Sequence, residues 1–324
     1  MPRKVRVATG SRLHFGLFAL GHLSQRQYGG VGAMIERPGL ELEVVPRGTT
    51  STANELASMA ERANTFAQKW CAFHRLSWDE LNVEVRVLRT PPDHVGLGVG
   101  TQLGLAVAAG LGEWVGMPAQ TALELALSVG RATRSAVGSY GFVLGGLVME
   151  QGRSAEEAMS PLDCRIDMPK DWCFLLMRPA DGRGISGAAE TSAMQELPAV
   201  PPEVTQALVE EAASRMIPAA ATADFPAFAE SLYRYGHMAG NCFAAKQGGP
   251  YNGPVVTALV ETIRRLGGAG VGQSSWGPTT FTICEDLAMA ERLRRDVLQN
   301  FAGTELIGEI SPVCNHGAVV ERME

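Results

Sequence analysis

The residue types best placed for chemistry stand together in Pro91-Pro92-Asp93-His94-Val95-Gly96-Leu97-Gly98-Val99-Gly100-Thr101-Gln102, directly ahead of the apolar run Leu103-Gly104-Leu105-Ala106-Val107-Ala108-Ala109. Two prolines end the strand-like stretch 81–88, three glycines let the backbone curl, and a helix starts at once. Such a turn exposes several main-chain N–H groups, and the helix behind it adds its unpaired first-turn donors and the positive end of its dipole. Phosphate oxygens are the natural occupants. A second glycine-broken segment, residues 130–146, holds Arg131 and Arg134, and a third, residues 267–278, ends in Gln273-Ser274-Ser275-Trp276-Gly277-Pro278. Arginine's planar fork matches phosphate geometry, so this pair could face an anion or form a solvated helix edge.

Composition narrows the partners. A chain of 324 residues has room for two domains, and 46% hydrophobic with 19% charged residues is the make-up of a globular protein with a full core. The net charge of -6 argues against a nucleic-acid partner, since such proteins carry a basic patch. The six cysteines (Cys71, Cys164, Cys173, Cys242, Cys284, Cys314) show no paired spacing and read as reduced thiols. The first residues turn apolar for too short a span to be a signal peptide, and no run of 18 apolar residues occurs, so a cytoplasmic protein without a membrane partner is expected. His22, His74, His237 and His316 are too scattered to argue a ligand set, and no structural zinc is expected.

The elements that must position these loops follow from periodicity. Alternation predicts strands over residues 5–7, 13–18 and 40–45, and helical spacing of Leu56, Met59, Ala63, Phe66, Ala67 and Trp70 predicts a helix over 53–74. Residues 118–127 form a further helix with Pro118 near its first turn, and 147–150 a strand. The turn-rich stretch 160–169 reads as a linker, which divides the chain into domains of residues 1–168 and 169–324. The second half opens on a buried strand from Trp172 to Met177 and a glycine-rich piece, 180–187. It continues with helices over 202–216, 225–240 and 254–266, a loop over 267–278, a strand over 279–284, a helix over 287–300 and a closing strand over 317–320. Strands and helices mixed in both halves make the class α+β.

Three glycine-rich segments in order, residues 8–16, 96–102 and 270–277, resemble the GHMP kinase superfamily, and Pro92-Asp93-His94-Val95-Gly96-Leu97-Gly98 matches its Pro-x-x-x-Gly-Leu-Gly phosphate loop. That resemblance implies a ribosomal protein S5 domain 2-like N-terminal domain and a ferredoxin-like C-terminal domain. One departure matters more than the match. Where such kinases carry their catalytic aspartate, in a stretch ahead of a Gly-Gly pair, this chain has Gly138, and a kinase needs a group to orient or deprotonate the attacking hydroxyl.

A narrower family fits that departure. Residues 11–17, 94–103, 130–140 and 272–279, four separated blocks in order, resemble the beta-ribofuranosylaminobenzene 5'-phosphate synthases, with differences at Ala132, Ala136 and 25–28. The resemblance implies decarboxylating transfer of phosphoribose from 5-phosphoribosyl 1-diphosphate to 4-aminobenzoate or 4-hydroxybenzoate, an early step toward methanopterin-type carriers, by a homodimer. The expected phosphate holders are Gly96, Gly98, Gly100, Thr101 and Gln102, with Arg131, Arg134 and Arg12 supplying forked charge as diphosphate departs. His14, Ser274 or Ser275 would steer the acceptor's carboxylate, and Trp276, Tyr140 or Phe15 would slot its ring, with Gln273 beside them. Trp276 is expected at a loop surface, and His14 could equally be a structural histidine. Magnesium is expected only as a companion of diphosphate, and no organic cofactor is implied. The competing readings are an ATP-dependent small-molecule kinase that uses Asp93 or Glu150 as base, and a silent phosphometabolite sensor.

Overall fold

The computed structural model describes residues 4–21, 26–49, 56–184 and 192–323. His22, the first residues of the helix expected from 53, Gln25 and the end of the glycine-rich piece 180–187 lie outside them.

Two antiparallel sheets carry the molecule. The first is six-stranded and is built on a long pair, β1 (Lys4–Ala19) and β2 (Tyr28–Pro46). The two early strands expected from the alternation are one: β1 runs through, with register shifts between Thr9 and Ser11 and between His14 and Gly16. Bulges of this kind re-aim side chains, and Arg12 and His14 sit between them. β2 likewise absorbs the expected strand at 40–45. After α1 (Ala57–His74), β3 (Val83–Arg89) pairs with β2. Three helices follow: α2 (Val99–Trp114), α3 (Ala122–Ser128) and α4 (Val137–Leu144). α3 is started by Thr121, whose side chain and Glu124 form a reciprocal capping box, not by Pro118.

β4 (Leu147–Glu150) returns to β2, and β5 (Leu162–Ile166) pairs with β4. The stretch expected as a linker is therefore partly a strand of the first sheet. Its turn residues, Ser160-Pro161 and Pro169, flank a short run whose polar Asp163 and Arg165 hid the pattern.

The second sheet has the order β7 (Gly270–Gln273), β8 (Thr280–Cys284), β6 (Cys173–Pro179), β9 (Leu306–Pro312). β7 replaces part of the expected loop 267–278, because its glycines let the strand lie against Phe281 and Ala229. Between β6 and β7 come α5 (Pro202–Glu211), a π turn (Ala212–Met216), α6 (Ile217–Ala221), α7 (Phe225–Asn241), α8 (Ala244–Gln247) and α9 (Gly253–Arg265). α10 (Leu287–Asn300) leads to β9, and β10 (Val319–Met323) crosses back to pair with β1.

One apolar core joins the sheets. Phe15 of β1 meets Phe281 of β8 at 5.1 Å and Phe174 of β6 at 6.3 Å between ring centroids. α7 lies close on β1, where a Cβ on Gly16 would stand 2.3 Å from that of Ala239, and Tyr235 donates to the Gly16 carbonyl at 2.7 Å. That close approach brings the glycine-rich turn of the first half and the late loop of the second around one cavity. Among the described residues no helix is long and apolar enough to cross a membrane.

Candidate functional site

The cavity measures about 380 Å³. Its walls are the β1 segment from Arg12 to Leu17, residues 93–101, residues 130–135, the α7 face of Gly236, Ala239 and Gly240, and the late loop at Gln273 and Ser275 to Gly277. The volume falls within the range of small-molecule sites.

The turn is held by backbone geometry that sequence alone implied. Gly96 and Gly98 sit at φ of 90° and 71°, where L side chains are strained, and Gly98 is the residue from which α2 starts. Thr101 and Gln102 give their amides to the Gly98 carbonyl at 3.0 and 3.1 Å, so the turn ahead of them presents the seat. Arginines converge on it. A Cβ placed on Gly98 would lie 3.3 Å from Arg12, and one on Gly100 would meet Arg62 and, at 3.0 Å, Arg131. The Arg131 guanidinium is stacked 4.9 Å from the centre of the Phe66 ring, Arg12 donates to Ser275 Oγ at 3.0 Å, and Arg134 reaches Met194 Sδ at 3.2 Å.

Arg62 was missed by sequence reasoning. It lies on α1 three residues after Met59 and four before Phe66, on the margin of the buried face, and that spacing is the only signal it left. Its Nη1 holds both oxygens of Asp93, at 2.7 and 2.6 Å. Asp93 is the one carboxylate among the described lining residues.

The structure corrects several expected roles. Gln102 is buried and does not reach the cavity: it accepts from Thr9 at 3.0 Å and donates to the Gly138 carbonyl at 3.0 Å. Ser274 is also behind the wall, fully buried, where its hydroxyl accepts from the His14 N–H at 3.1 Å and donates to the Gly96 carbonyl at 2.7 Å. It ties β1, the turn and the late loop together. Gln273 lines the cavity, but its amide braces the late loop, donating to Ser275 O at 2.7 Å and accepting from Asn252 N at 2.6 Å. Trp276 is not at a loop surface; it is buried with Leu20, Leu197 and Val200 and stands edge-on to Phe243 at 5.0 Å, touching the cavity by one side. Tyr140 donates to the Ser160 carbonyl at 2.9 Å, away from this cavity, and Phe15 is mainly core. The structure places Arg12, His14, Gly96, Gly98, Gly100, Thr101, Arg131, Arg134 and Ser275 in the cavity wall.

His14 leads a chain of polar groups that the sequence did not reveal. Its Nε2 lies 3.0 Å from Ser135 Oγ, Ser135 donates to Glu150 Oε1 at 2.6 Å, and the Ala136 amide donates to Glu150 Oε2 at 2.8 Å. Burial and then Arg12 hold the imidazole well below its ordinary 6.5, so it stands neutral, donating to Ser135. Burial pushes the Glu150 carboxyl above 4.5, against the pull of its hydrogen bonds.

A histidine lowered in the fold binds its proton at higher pH when unfolded, so its contribution is complete above pH 6.5 and lost as pH falls below that value. Glu150 acts in the opposite sense, weakening the fold as pH rises from 4.5 through its raised value. Urea unfolding between pH 7.5 and 5 should therefore show stability falling below pH 6.5 by up to about 1.4 kcal/mol per pH unit. In His14→Gln that fall should be much reduced, and an unchanged slope would remove His14 as its source.

Fold and loops define the class. Residues 216–303 match the family model described as GHMP kinases C terminal. The homoserine kinase of Cytophaga hutchinsonii superposes with a TM-score of 0.64 at 13% identity, covering 99% of this chain and 98% of that one. This is a GHMP kinase-type α+β fold. Relatives that match along most of the chain are named as synthases: the chain is 30% identical over 300 residues to the beta-ribofuranosylphenol 5'-phosphate synthase of Methanothermobacter thermautotrophicus, covering 86% of this chain and 88% of that one. It is 29% identical to the synthase of the same name from Archaeoglobus fulgidus, over 98% and 99% of the two chains. The chain belongs to the beta-ribofuranosylphenol 5'-phosphate synthase family, and it is an enzyme of the glycosyltransferase type.

Proposed function

We propose that the cavity binds 5-phosphoribosyl 1-diphosphate and transfers its phosphoribosyl group to the carboxylate-bearing ring carbon of a 4-substituted benzoate. The new C–C bond forms as the anomeric C–O bond to diphosphate breaks. Carbon dioxide then leaves, and its bonding pair returns to the ring. The step needs no proton abstracted. The product name of the relatives, a ribofuranosylphenol, favours 4-hydroxybenzoate over 4-aminobenzoate as acceptor.

The observation that carries this reading is a phosphate seat ringed by Arg12, Arg62, Arg131 and Arg134 whose lining carboxylate is already bound to Arg62. Negative charge growing on departing diphosphate is what such donors stabilise. A side chain at 138 would point toward Thr101, at 3.2 Å, and Arg12, at 3.7 Å; glycine there leaves the arginine facing the cavity without a carboxylate from that position. The two carboxylates a kinase could have recruited are committed elsewhere, Asp93 to Arg62 and Glu150 to Ser135 and Ala136. Magnesium would arrive on the diphosphate, and the chain's own part is the arginine charge and the neutral His14–Ser135 edge beside the acceptor.

The test is release of label from carboxyl-labelled 4-hydroxybenzoate. Release should require 5-phosphoribosyl 1-diphosphate and should exceed that from labelled 4-aminobenzoate. Turnover of ATP with a small alcohol, without donor-dependent release, would restore the kinase reading.

A further inference from the structure

Away from the cavity, three donor atoms meet where the chain crosses from the second sheet back to the first. Glu36 stands on β2, and Cys314 and His316 lie in the connection between β9 and β10. The His316 Nε2 is 3.0 Å from Glu36 Oε1 and 3.8 Å from Cys314 Sγ, and all three donor atoms fall within 4.8 Å of one another. None of the three lines the phosphate cavity.

The tautomer makes this arrangement informative. His316 Nδ1 lies 2.8 Å from the Gly317 carbonyl, which can only accept, so Nδ1 carries a hydrogen. A neutral ring then aims the Nε2 lone pair at a carboxylate oxygen, and two acceptors at 3.0 Å need something positive between them. A proton would serve, giving an imidazolium–carboxylate pair, with the thiol donating to the His316 carbonyl at 3.3 Å. A divalent cation would serve all three groups. Tetrahedral zinc with its usual bonds to sulfur, nitrogen and oxygen sets its donors about 3.3 to 3.6 Å apart. The distances here straddle that range. A ring nitrogen that bonds metal while its other N–H is fixed by a carbonyl is also the usual second-shell pattern.

The frame is rigid before any ion arrives. Cys314 N–H donates to the Met34 carbonyl at 2.9 Å, Gly146 N–H to the Cys314 carbonyl at 2.7 Å, and Ala318 N–H to the Phe142 carbonyl at 2.6 Å. Asn315 exchanges two hydrogen bonds with the Met168 backbone, at 2.9 and 2.7 Å, and its carbonyl accepts from Arg165. Donors held on ordered backbone are what a metal site requires. Histidine spacing alone concealed it, since Glu36 and Cys314 come from opposite ends of the chain.

We propose that Glu36, Cys314 and His316 bind a thiophilic divalent cation of the zinc type, leaving one position to water and clipping the β9–β10 crossing onto β2. The thiol proton is lost to solvent as the metal–sulfur bond forms. Sulfur, imidazole and carboxylate together suit zinc or cobalt rather than magnesium.

The probe is cobalt(II), titrated into chelator-treated protein. One equivalent should produce a thiolate-to-cobalt band in the near ultraviolet and the visible bands of a tetrahedral ion, displaced by zinc and untouched by magnesium. Cys314→Ser should abolish the near-ultraviolet band, and His316→Ala, whose side chain is largely exposed, should weaken binding about tenfold or more. Cys164→Ser should keep both features. No band in the natural chain, or a band that survives Cys314→Ser, overturns the site.

Discussion

Gly96→Ala should unfold at markedly lower temperature than the natural chain and lose most of its transferase activity. At this position φ is 90°, and a Cβ would stand 2.3 Å from the Ser274 carbonyl oxygen and 3.1 Å from the Gly277 Cα. Both obstacles are backbone, so no side chain can swing aside. Strain of the left-handed residue and forced separation of two packed loops each cost roughly 1–3 kcal/mol, giving about 3 kcal/mol or more together. The loss of activity follows from the same contact. The Ser274 hydroxyl that bonds Gly96 also accepts from His14, so parting the loops moves β1, the turn and the late loop relative to one another. Gly48→Ala isolates the first contribution, since Gly48 has φ of 81° with nothing within 4 Å of the added carbon. Thermal unfolding and initial rates on both variants check the claim. If Gly96→Ala is no worse than Gly48→Ala, the two loops are not clasped as described.

That clasp also shows where reading the sequence stops. Gly96 and Gly98 were legible because a left-handed turn before a helix leaves few residue types to choose from, and the apolar run 103–109 could only be a buried helix. Ser274 and Gln102 were equally visible as polar residues in glycine-rich motifs, yet their hydroxyl and amide are used inside the frame. A motif marks where backbone must be special; it does not say which way a side chain faces. Arg62 and the link from Ser135 to Glu150 were hidden for the opposite reason. Each residue is ordinary in its own element, on a helix margin, in a turn and at a strand end, and meets its partners only on folding: Arg62 pairs with Asp93, and Ser135 links His14 to Glu150. β5 and β9 were lost because short strands with polar or glycine residues carry little period-two signal.

Arg131→Ala should lower kcat/KM for the phosphoribosyl donor by about 10²–10³, the usual effect of removing one donor from a preorganised anion site. The stacking on Phe66 fixes the guanidinium beside Gly100, so its charge is aimed before the substrate enters. Arg131→Lys should recover only part of the loss, because an ammonium cannot reproduce the planar fork. How the loss divides identifies which phosphate is held. An arginine on the 5'-phosphate binds ground state and transition state alike and its removal raises KM, whereas one on the departing diphosphate gains strength as charge develops and its removal lowers kcat. Arg134→Ala, on the far side of the 130–135 segment and touching Met194, should weaken the donor as well. If the two variants split differently between KM and kcat, the two arginines hold opposite ends of the ribose, and the fork at Gly100 is assigned by whichever parameter Arg131 moves. A kcat/KM within threefold of the natural value for both would take the 130–135 segment out of the donor site. The charge ring would then rest on Arg12 and Arg62 alone.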